Sequence, residues 1–349
     1  MSSASPVPPQ EARRIVFPAI RQAAWERIPL PAAGRLGPTE ALVRTVCTLV
    51  SAGTELAIYT GSHIGYTIPG ATYPRLPFHP GYAFAGTVEA VGSAVAAFRP
   101  GDRVAGSLPH TDWAVVDTSR ALLAPLPPEV SFEQGCLARL AAISMQGVRL
   151  AHVRLGERVA VFGQGLIGQF ARQLAALDGA ATTVAIDLFE PRLQLARRHG
   201  ATHTVNPSCE DLAAAIGAAT GGQGVDVAIE ATGSPAVIND ALHAAAPLGR
   251  VILLGSPRGR VEIDPYTDIH RKGLSVIGAH AGTAAAVANA YHRWTTAEHY
   301  RLAIELMRQG RLLTSGLVSH HVPADQALGI FDALAERPQD HLGVLIEWR

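Results

Sequence analysis

The sequence predicts a two-domain α/β protein in which a mainly β domain is followed by a doubly wound parallel sheet. The chain has 349 residues, more than one ordinary hydrophobic core accommodates. Near the amino terminus, short β-branched runs alternate with Gly and Pro, a spacing typical of a barrel-like β domain. From about Arg158, apolar runs alternate with amphipathic Ala-, Leu- and Arg-rich stretches, which is the pattern of βαβ units.

The strand candidates follow from these runs. In the first part they include residues 41–50, 86–92 and 102–105. The parallel sheet has six candidates in order: residues 158–162, 182–186, 203–205, 225–229, 250–254 and 274–277. A helix is expected over residues 300–310, and a closing strand over 343–348 should rejoin the first domain. The predicted domains are therefore residues 1–139 with 283–349, and residues 140–282.

Composition excludes several classes of function. Lys plus Arg equals Asp plus Glu, so no net field favours nucleic acid or an anionic membrane as a partner. No apolar window reaches the length of a membrane span, and no signal peptide is recognised, so a cytoplasmic protein is expected. Cys47, Cys136 and Cys209 are far apart in sequence, which predicts buried reduced thiols rather than a disulfide scaffold or a thiolate metal site.

A glycine-rich loop follows the first strand of the second domain. Gly163, Gly165 and Gly168 form a G-x-G-x-x-G pattern that opens a helical stretch, the placement in which this motif is specific for dinucleotide binding. The first glycine permits the turn, the second lets the backbone approach the pyrophosphate, and the third allows close helix packing. Leu166 and Ile167 lie within the loop, where the helix N-terminus offers free N–H groups to the phosphates.

The second strand ends in Asp187, where an acidic residue typically accepts hydrogen bonds from the adenosine ribose. A carboxylate repels a 2′-phosphate, so NAD is favoured over NADP. Arg192 could stack on adenine or meet a phosphate. Further cofactor contacts are expected where the fourth, fifth and sixth strands end, at Ala231, Thr232, Gly255, Ser256, Ala279 and His280, with the nicotinamide near the last of these.

Several motifs in order resemble the medium-chain dehydrogenase/reductase family over nearly the whole chain. They are the Ser-Ala-Gly-Thr-Glu of residues 51–55, the His-Pro-Gly run of residues 79–92, the Pro-Gly-Asp-Arg-Val of residues 100–104, the glycine loop, and residues 342–345. The resemblance implies a GroES-like catalytic domain that carries the substrate site, a Rossmann domain that carries the cofactor, and catalysis in the cleft between them.

The resemblance breaks at the metal ligands. Where zinc-dependent members have Cys, His and Cys, this chain has Ala52, Tyr82 and Ala138, and the family's adjoining Glu is Ala83. The loop of four cysteines that holds a structural zinc in many members is missing, because residues 105–113 follow the Gly-Asp-Arg-Val motif directly. No zinc is therefore expected.

The question is which groups replace the metal. Thr54 matches the hydroxyl residue that relays the proton in zinc-dependent relatives, or it stabilises a turn. Tyr82 is expected to point into the cleft, where cationic nicotinamide would lower its pKa, or to fill space. His280 is expected to serve as an acid/base or to hydrogen-bond the cofactor.

Other polar residues are second-tier candidates for the substrate pocket: Tyr59, His63, Glu55 and His110. Glu55 is expected to hold Tyr82 by a hydrogen bond. Arg139 is interpreted either as a recognition group for an anionic substrate or as a member of an ion pair.

These features, together with residues 268–280 and Trp294, resemble a zinc-free branch of the family related to bacteriochlorophyllide and polyol dehydrogenases. The resemblance implies NAD-dependent oxidation of a secondary alcohol on a sugar, cyclitol or other polyol. Two alternatives stay open: reduction of an enone or quinone C=C bond with NAD(P)H, and a non-catalytic nucleotide-binding homologue. A homodimer or homotetramer is expected, with a small-molecule substrate as the other partner.

Overall fold

A computed structural model of the chain describes residues 8–32, 35–285, 287–289 and 293–348. It divides into two compact units. Unit 1 comprises residues 1–139, 304–308 and 318–349, and unit 2 comprises residues 140–303 and 309–317. The first division falls where the sequence placed it. Residues 283–303 and 309–317, which the prediction assigned to the β domain, belong to unit 2.

The strands of unit 1 are β1 (Glu11–Val16), β2 (Ala24–Pro29), β3 (Glu40–Val50), β4 (Phe84–Val91), β5 (Arg103–Gly106), β6 (Trp113–Asp117), β7 (Leu123–Pro125), β14 (His320–Pro323) and β15 (Val344–Glu347). Its helices are the short α1 (Thr54–Tyr59) and α8 (Ile330–Glu336), and α2 (Phe132–Ala151) begins here.

One seven-stranded sheet organises unit 1. Its order is β14-β15-β3-β4-β5-β7, with β6 also paired to β3. The long strand β3 forms because nine of its eleven residues are apolar or β-branched, and it pairs antiparallel with β4, β6 and β15. The predicted return of the closing strand to this domain is confirmed, since Val344 to Glu347 pair with β3.

The elements of unit 2 alternate between strand and helix. In chain order they are β8 (Arg158–Phe162), α3 (Leu166–Asp178), β9 (Thr182–Ile186), α4 (Glu190–Arg198), β10 (His203–Val205), α5 (Leu212–Thr220), β11 (Val225–Glu230), α6 (Pro235–Ala244), β12 (Ala245–Leu253) and β13 (Ser275–Gly278). A further helix, α7 (Thr296–Arg308), starts in unit 2.

The parallel sheet of unit 2 has the order β10-β9-β8-β11-β12-β13. The chain thus starts in the middle, winds outward to one side and returns to fill the other, which confirms the predicted doubly wound fold. This order places the ends of β8 and β11 side by side. In such sheets a ligand binds where the winding direction reverses.

Most predicted strands agree with the structure to within two residues, but one begins well before its predicted start. β12 begins at Ala245, directly after α6, and not at Arg250. The sequence concealed this start because Leu248 interrupts the strand with a positive φ of 63° and is 83% exposed, and because the register with β11 shifts between Val225 and Val227.

Among the helices in the described part of the chain, none combines the length and the apolar composition that crossing a membrane requires.

Candidate active site

The glycine loop of unit 2 has three glycines with three different environments. Gly163 has a φ of 88°, and a Cβ there would lie 2.6 Å from Cγ2 of Thr232. Gly165 has φ −65° and ψ −178° at the N-terminus of α3, and a Cβ would meet nothing within 4 Å. At Gly168 a Cβ would lie 1.7 Å from the carbonyl oxygen of Gly163. The backbone therefore turns at the first glycine, is open at the second and is packed against itself at the third.

Asp187 ends β9 beside this loop and is 8% exposed. Its Oδ2 accepts a hydrogen bond from the backbone N–H of Gln164 at 2.6 Å, and its Oδ1 accepts one from Phe189 N at 2.9 Å. Arg192 has its Nη1 3.8 Å from Asp187 Oδ2 and its guanidinium 4.7 Å from the ring centre of Phe189. Burial lowers the pKa of Arg192, and the charge and hydrogen bond of the Asp187 carboxylate act against this lowering.

A buried acid that the sequence analysis missed organises the turn after β11. Glu230 is fully buried, and its Oε1 accepts hydrogen bonds from the backbone N–H groups of Thr232 at 2.6 Å and Gly233 at 3.0 Å, and from the Thr232 hydroxyl. Burial raises the pKa of Glu230, and these hydrogen bonds oppose the rise. The residue closes the apolar run of β11, and an acid at the end of a buried strand is the signal that could have identified it.

The turns after the central strands meet at the loop. Ala231 donates its N–H to Phe162 O at 2.9 Å, and Thr232 lies against Gly163. At Gly255 a Cβ would lie 2.4 Å from Gly233 N. Ser256 is exposed beside them. The structure thus brings the predicted residues after the fourth and fifth strands next to the glycine loop.

The residues after the sixth strand are arranged differently. Ala279 is buried, whereas His280 is exposed and its Nδ1 accepts a hydrogen bond from Gly282 N at 3.1 Å. His280 therefore caps a short turn, and its predicted role at the nicotinamide stays a prediction.

In unit 1, Tyr82 is the centre of a polar group. Its hydroxyl forms a short hydrogen bond with Ser51 Oγ and a further one with Thr54, the first residue of α1. The guanidinium of Arg139 lies 5.5 Å from the centre of the Tyr82 ring, within cation–π range. This contact positions the Tyr82 ring, and the two roles expected of Arg139, recognition of an anionic substrate or an ion pair, stay predictions.

The protein groups around Tyr82 raise its pKa, and the lowering predicted for a phenol beside a cationic nicotinamide stays a prediction. Burial raises the pKa of this phenol, the Glu55 carboxylate raises it further, and the hydrogen bonds from Ser51 and Thr54 and the charge of Arg139 act against the rise. Desolvation is the largest of these effects. At neutral pH the residue is a phenol and a hydrogen-bond donor.

Glu55 and His110 form a buried chain behind Ser51, and neither holds the role predicted for it. Glu55 was expected to bond Tyr82. Instead its Oε1 accepts the Ser51 backbone N–H at 3.0 Å, and its Oε2 lies 2.8 Å from His110 Nε2. His110 is fully buried and therefore lines no substrate pocket; its Nδ1 lies 2.8 Å from Thr48 Oγ1.

The chain extends to the last strand of the sheet. Trp348 Nε1–H can only donate, and it does so to Thr48 Oγ1 at 2.9 Å. Thr48 Oγ1 in turn lies 2.8 Å from His110 Nδ1, and His110 Nε2 lies 2.8 Å from Glu55 Oε2. The chain fixes the backbone of Ser51 and thereby the partner of Tyr82.

Tyr59 is not part of the site. It is 2% exposed, packs between Phe17 and Phe331 at ring distances of 5.1 and 5.6 Å, and donates its hydroxyl to Asp332 Oδ1 at 2.9 Å. Burial raises its pKa to about 12. The prediction that Tyr59 is a catalytic or substrate-pocket residue is wrong, because Tyr59 lies on the face of α1 that enters the core. His63 caps a local turn by accepting a hydrogen bond from Gly65 N at 3.0 Å.

The residues at the zinc-ligand positions do not fit a metal. Ala52, Ala83 and Ala138 have no donor atoms, and the latter two are completely buried. Tyr82 is left as the one oxygen donor of the set, with its hydroxyl bonded to Ser51. Within the described ranges, no cluster of three or more His, Cys, Asp or Glu side chains has a metal-binding arrangement. The absence of zinc stays a prediction.

The cysteines differ from expectation. Cys47 and Cys136 are buried, as predicted, but their Sγ atoms lie only 3.6 Å apart. Cys209 is exposed, because it follows β10 in a surface turn, and the prediction that it is buried is wrong.

Two protein-family models match the chain: alcohol dehydrogenase GroES-like domain over residues 37–148, and zinc-binding dehydrogenase over residues 167–297. The sequence is 25% identical over 343 residues to D-xylulose reductase of Saccharomyces cerevisiae, covering 89% of this chain and 91% of that protein. It is 35% identical over 175 residues to D-guloside 3-dehydrogenase of Shigella flexneri, covering 50% of each. The crystal structure of 2R,3R-butanediol dehydrogenase from Bacillus subtilis superposes with a TM-score of 0.78 at 25% identity, covering 96% of this chain and 99% of that one.

Proposed function

Because the chain belongs to the medium-chain alcohol dehydrogenase superfamily, we propose that it is a zinc-free, NAD-dependent oxidoreductase that interconverts a secondary alcohol and a ketone. The names of the relatives, a xylulose reductase, a guloside 3-dehydrogenase and a butanediol dehydrogenase, support a polyol, sugar or cyclitol substrate. The observation that carries the proposal is the Tyr82 phenol, held by Ser51 and Thr54 where zinc-dependent relatives place a metal ligand.

The residues of unit 2 fit a dinucleotide. The open side of Gly165 leaves room for a pyrophosphate at the N-terminus of α3, and the free N–H groups there favour anionic oxygens. The Asp187 carboxylate would accept hydrogen bonds from the ribose hydroxyls, and it repels a 2′-phosphate. When bound, NAD supplies the hydride acceptor.

The residues of unit 1 act on the substrate oxygen. A phenol that is protonated at neutral pH donates a hydrogen bond to a carbonyl oxygen and stabilises negative charge on it. Ser51 and Thr54 fix the direction in which the phenol points, and the buried Glu55 and His110 fix Ser51. Because Tyr82 resists deprotonation, this arrangement favours ketone reduction near neutral pH and alcohol oxidation as the pH rises.

A conjugated carbonyl is the second substrate class that such a donor serves. The same hydrogen bond from Tyr82 would take up charge during reduction of an enone or quinone C=C bond, and that reaction needs no Lewis acid. The Asp187 carboxylate is the observation that favours the alcohol, because the enone reductases of this type mostly use NADPH.

The test compares two panels of substrates. Purified protein with NAD⁺ is given polyols, sugars and cyclitols, and protein with NADH or NADPH is given enones and quinones, with the reduced nicotinamide followed by its absorbance. Turnover on the first panel and not on the second supports the proposal. Turnover confined to the second panel assigns the protein to the C=C reductases, and cofactor binding without turnover assigns it to non-catalytic homologues.

A matched pair of tyrosine variants tests the role of Tyr82. Tyr82→Phe should reduce kcat by about 10²–10³-fold, as for loss of one preorganised donor, while NAD binding is unchanged. Tyr66→Phe removes a hydroxyl whose nearest hydrogen-bond acceptor, Ile58 O, is 3.5 Å away, and should leave kcat near that of the unmodified protein. Equal activity of both variants would remove Tyr82 from the mechanism.

Two further measurements concern the cofactor and the metal. Asp187→Ala should raise KM for NAD far more than KM for NADP, since only NAD uses the free ribose hydroxyls. Metal analysis should find no stoichiometric zinc, and chelators should not inhibit. We also expect a cytoplasmic protein that forms a homodimer or homotetramer. Analytical ultracentrifugation would test the oligomeric state.

A further inference from the structure

Two cysteines that are distant in sequence meet inside unit 1. Cys47 lies on β3 and Cys136 on α2, 89 residues apart, and their Sγ atoms are separated by 3.6 Å. Cys136 also donates its thiol to the carbonyl oxygen of Cys47 at 3.3 Å. Cys47 is 3% exposed and Cys136 is completely buried.

The contact results from close packing of α2 on the sheet. At Gly135, the neighbour of Cys136, a Cβ would lie 2.9 Å from the Cβ of Ala105 and 3.2 Å from that of Ala85. The helix therefore approaches β4 and β5 at a distance that only glycine permits here, and this approach holds the two sulfurs together. A disulfide has an S–S length of about 2.05 Å, so bond formation requires small side-chain rotations and a local shift of α2.

Cys47 has a route to small molecules. It lines a cavity of about 160 Å³ together with Phe132, Glu133, His321 and Glu347. A water molecule takes about 30 Å³ in the liquid, so hydrogen peroxide fits this space. Cys136 does not line the cavity, and burial raises the pKa of its thiol well above the usual range.

We propose that Cys47 and Cys136 are a redox-active pair that a peroxide converts to an intramolecular disulfide. Cys47 Sγ attacks one peroxide oxygen, the O–O bond breaks, and a sulfenic acid and one water form. Cys136 Sγ then attacks the Cys47 sulfur, the S–S bond forms, and the hydroxyl leaves with the Cys136 proton as a second water. The two thiols together lose two electrons and two protons, which reduce one hydrogen peroxide to two waters.

The bond has a structural consequence near the polar group of Tyr82. Residue 47 precedes Thr48, which bonds His110, and Cys136 lies one helical turn before Arg139, which stacks on Tyr82. Oxidation therefore links covalently the two segments that support Tyr82. The proposal does not depend on the proposed function, because the bond is detected without a substrate.

The test uses the full-length Cys209→Ser variant, which removes the exposed thiol of unit 2. The folded variant is treated with hydrogen peroxide, denatured, alkylated and analysed by mass spectrometry under non-reducing conditions. We expect a chain lighter by two hydrogen atoms, no alkylation at either remaining cysteine, and a cross-linked peptide pair that dithiothreitol separates. A tenfold dilution should leave the yield unchanged, because the bond is intramolecular.

A second variant keeps the proposal open to refutation. With Cys136→Ala added, Cys47 lacks its partner and should accumulate a sulfenic acid that dimedone traps; circular dichroism before oxidation checks the fold. Two results overturn the proposal: both cysteines of the Cys209→Ser protein remain alkylatable after peroxide, or Cys47 is oxidised to the sulfinic acid while Cys136 stays free.

Discussion

The two glycines at positions 165 and 168 allow stability and cofactor binding to be separated with one type of substitution. In Gly168→Ala, the new Cβ would lie 1.7 Å from the carbonyl oxygen of Gly163, where real contacts are at least 3.0 Å. Helix α3 must therefore retreat by more than an ångström from the end of β8. Overpacking against backbone of this kind costs about 3 kcal/mol, roughly a hundredfold in the ratio of folded to unfolded protein.

Gly165→Ala is the matched control for stability. Gly165 has φ −65° and ψ −178°, which alanine adopts without strain, and a Cβ meets nothing within 4 Å. Its free energy of unfolding should therefore stay within about 0.5 kcal/mol of the unmodified protein. The added methyl group lies on the side of the loop proposed for the pyrophosphate, so Kd for NAD should rise by about tenfold or more, equivalent to about 1.4 kcal/mol.

The assay is urea unfolding for each variant, with amide hydrogen exchange of residues 166–178 to report on unit 2 and calorimetric titration with NAD. Gly168→Ala should lose exchange protection in α3, and Gly165→Ala should keep it while losing affinity. The reasoning would be refuted by a Gly168→Ala protein of unchanged stability, or by a Gly165→Ala protein that binds NAD as tightly as the unmodified one.

Three further predictions concern buried titratable groups. Burial lowers the pKa of His299 from 6.5 to about 4, so the folded state holds the neutral imidazole where the unfolded state is protonated. The stabilisation of the fold by neutral His299, about 3 kcal/mol, is complete above pH 6.5 and is lost as the pH falls through about 4. His299→Gln should therefore flatten the pH dependence of thermal unfolding. His110→Phe leaves the Glu55 carboxylate with one partner fewer and should lower the urea midpoint by an equivalent of about 3 kcal/mol, whereas Glu55→Gln, which keeps its size and one acceptor oxygen, should cost less; equal losses would contradict this. Glu230→Ala removes the acceptor of the Gly233 N–H and should raise KM for NAD without changing kcat, measured in steady-state assays.

The parallel sheet could be predicted because buried parallel strands have nearly continuous apolar sequences. Residues 158–162 and 182–186 have the same bounds in the structure as in the prediction, since each lies between a helix and a glycine or acidic residue. The start of β12 could not be predicted, because Pro247 and Gly249 favour a turn within a strand that continues through an irregularity.

The polar group of unit 1 was only partly predictable. The order of motifs indicated Tyr82 and Thr54, but sequence spacing does not show which face of a six-residue helix enters the core, and so Tyr59 was misassigned. Ser51 belongs to one of the family motifs, but its role could not be predicted, because its hydrogen bond joins residues 31 positions apart. No local pattern connects Cys47 with Cys136, which only the packing of α2 on β3 brings together.

The residues at the family's zinc-ligand positions, Ala52, Tyr82 and Ala138, all disfavour a bound metal. Ala138, at one of the family's ligand positions, and Ala83, at the position of the family's adjoining Glu, have no exposed surface and belong to the packed interior. Tyr82 is the one bulky side chain at these positions. Its hydroxyl forms a hydrogen bond with Ser51, and the Arg139 guanidinium makes a cation–π contact with its ring. Restoring cysteine at position 138 would place a thiol in a packed interior and still leave the Tyr82 ring where a histidine ligand is needed. The proposed zinc-free reaction would therefore draw its stabilisation of oxygen charge from hydrogen bonds, with the protonated Tyr82 phenol as a donor.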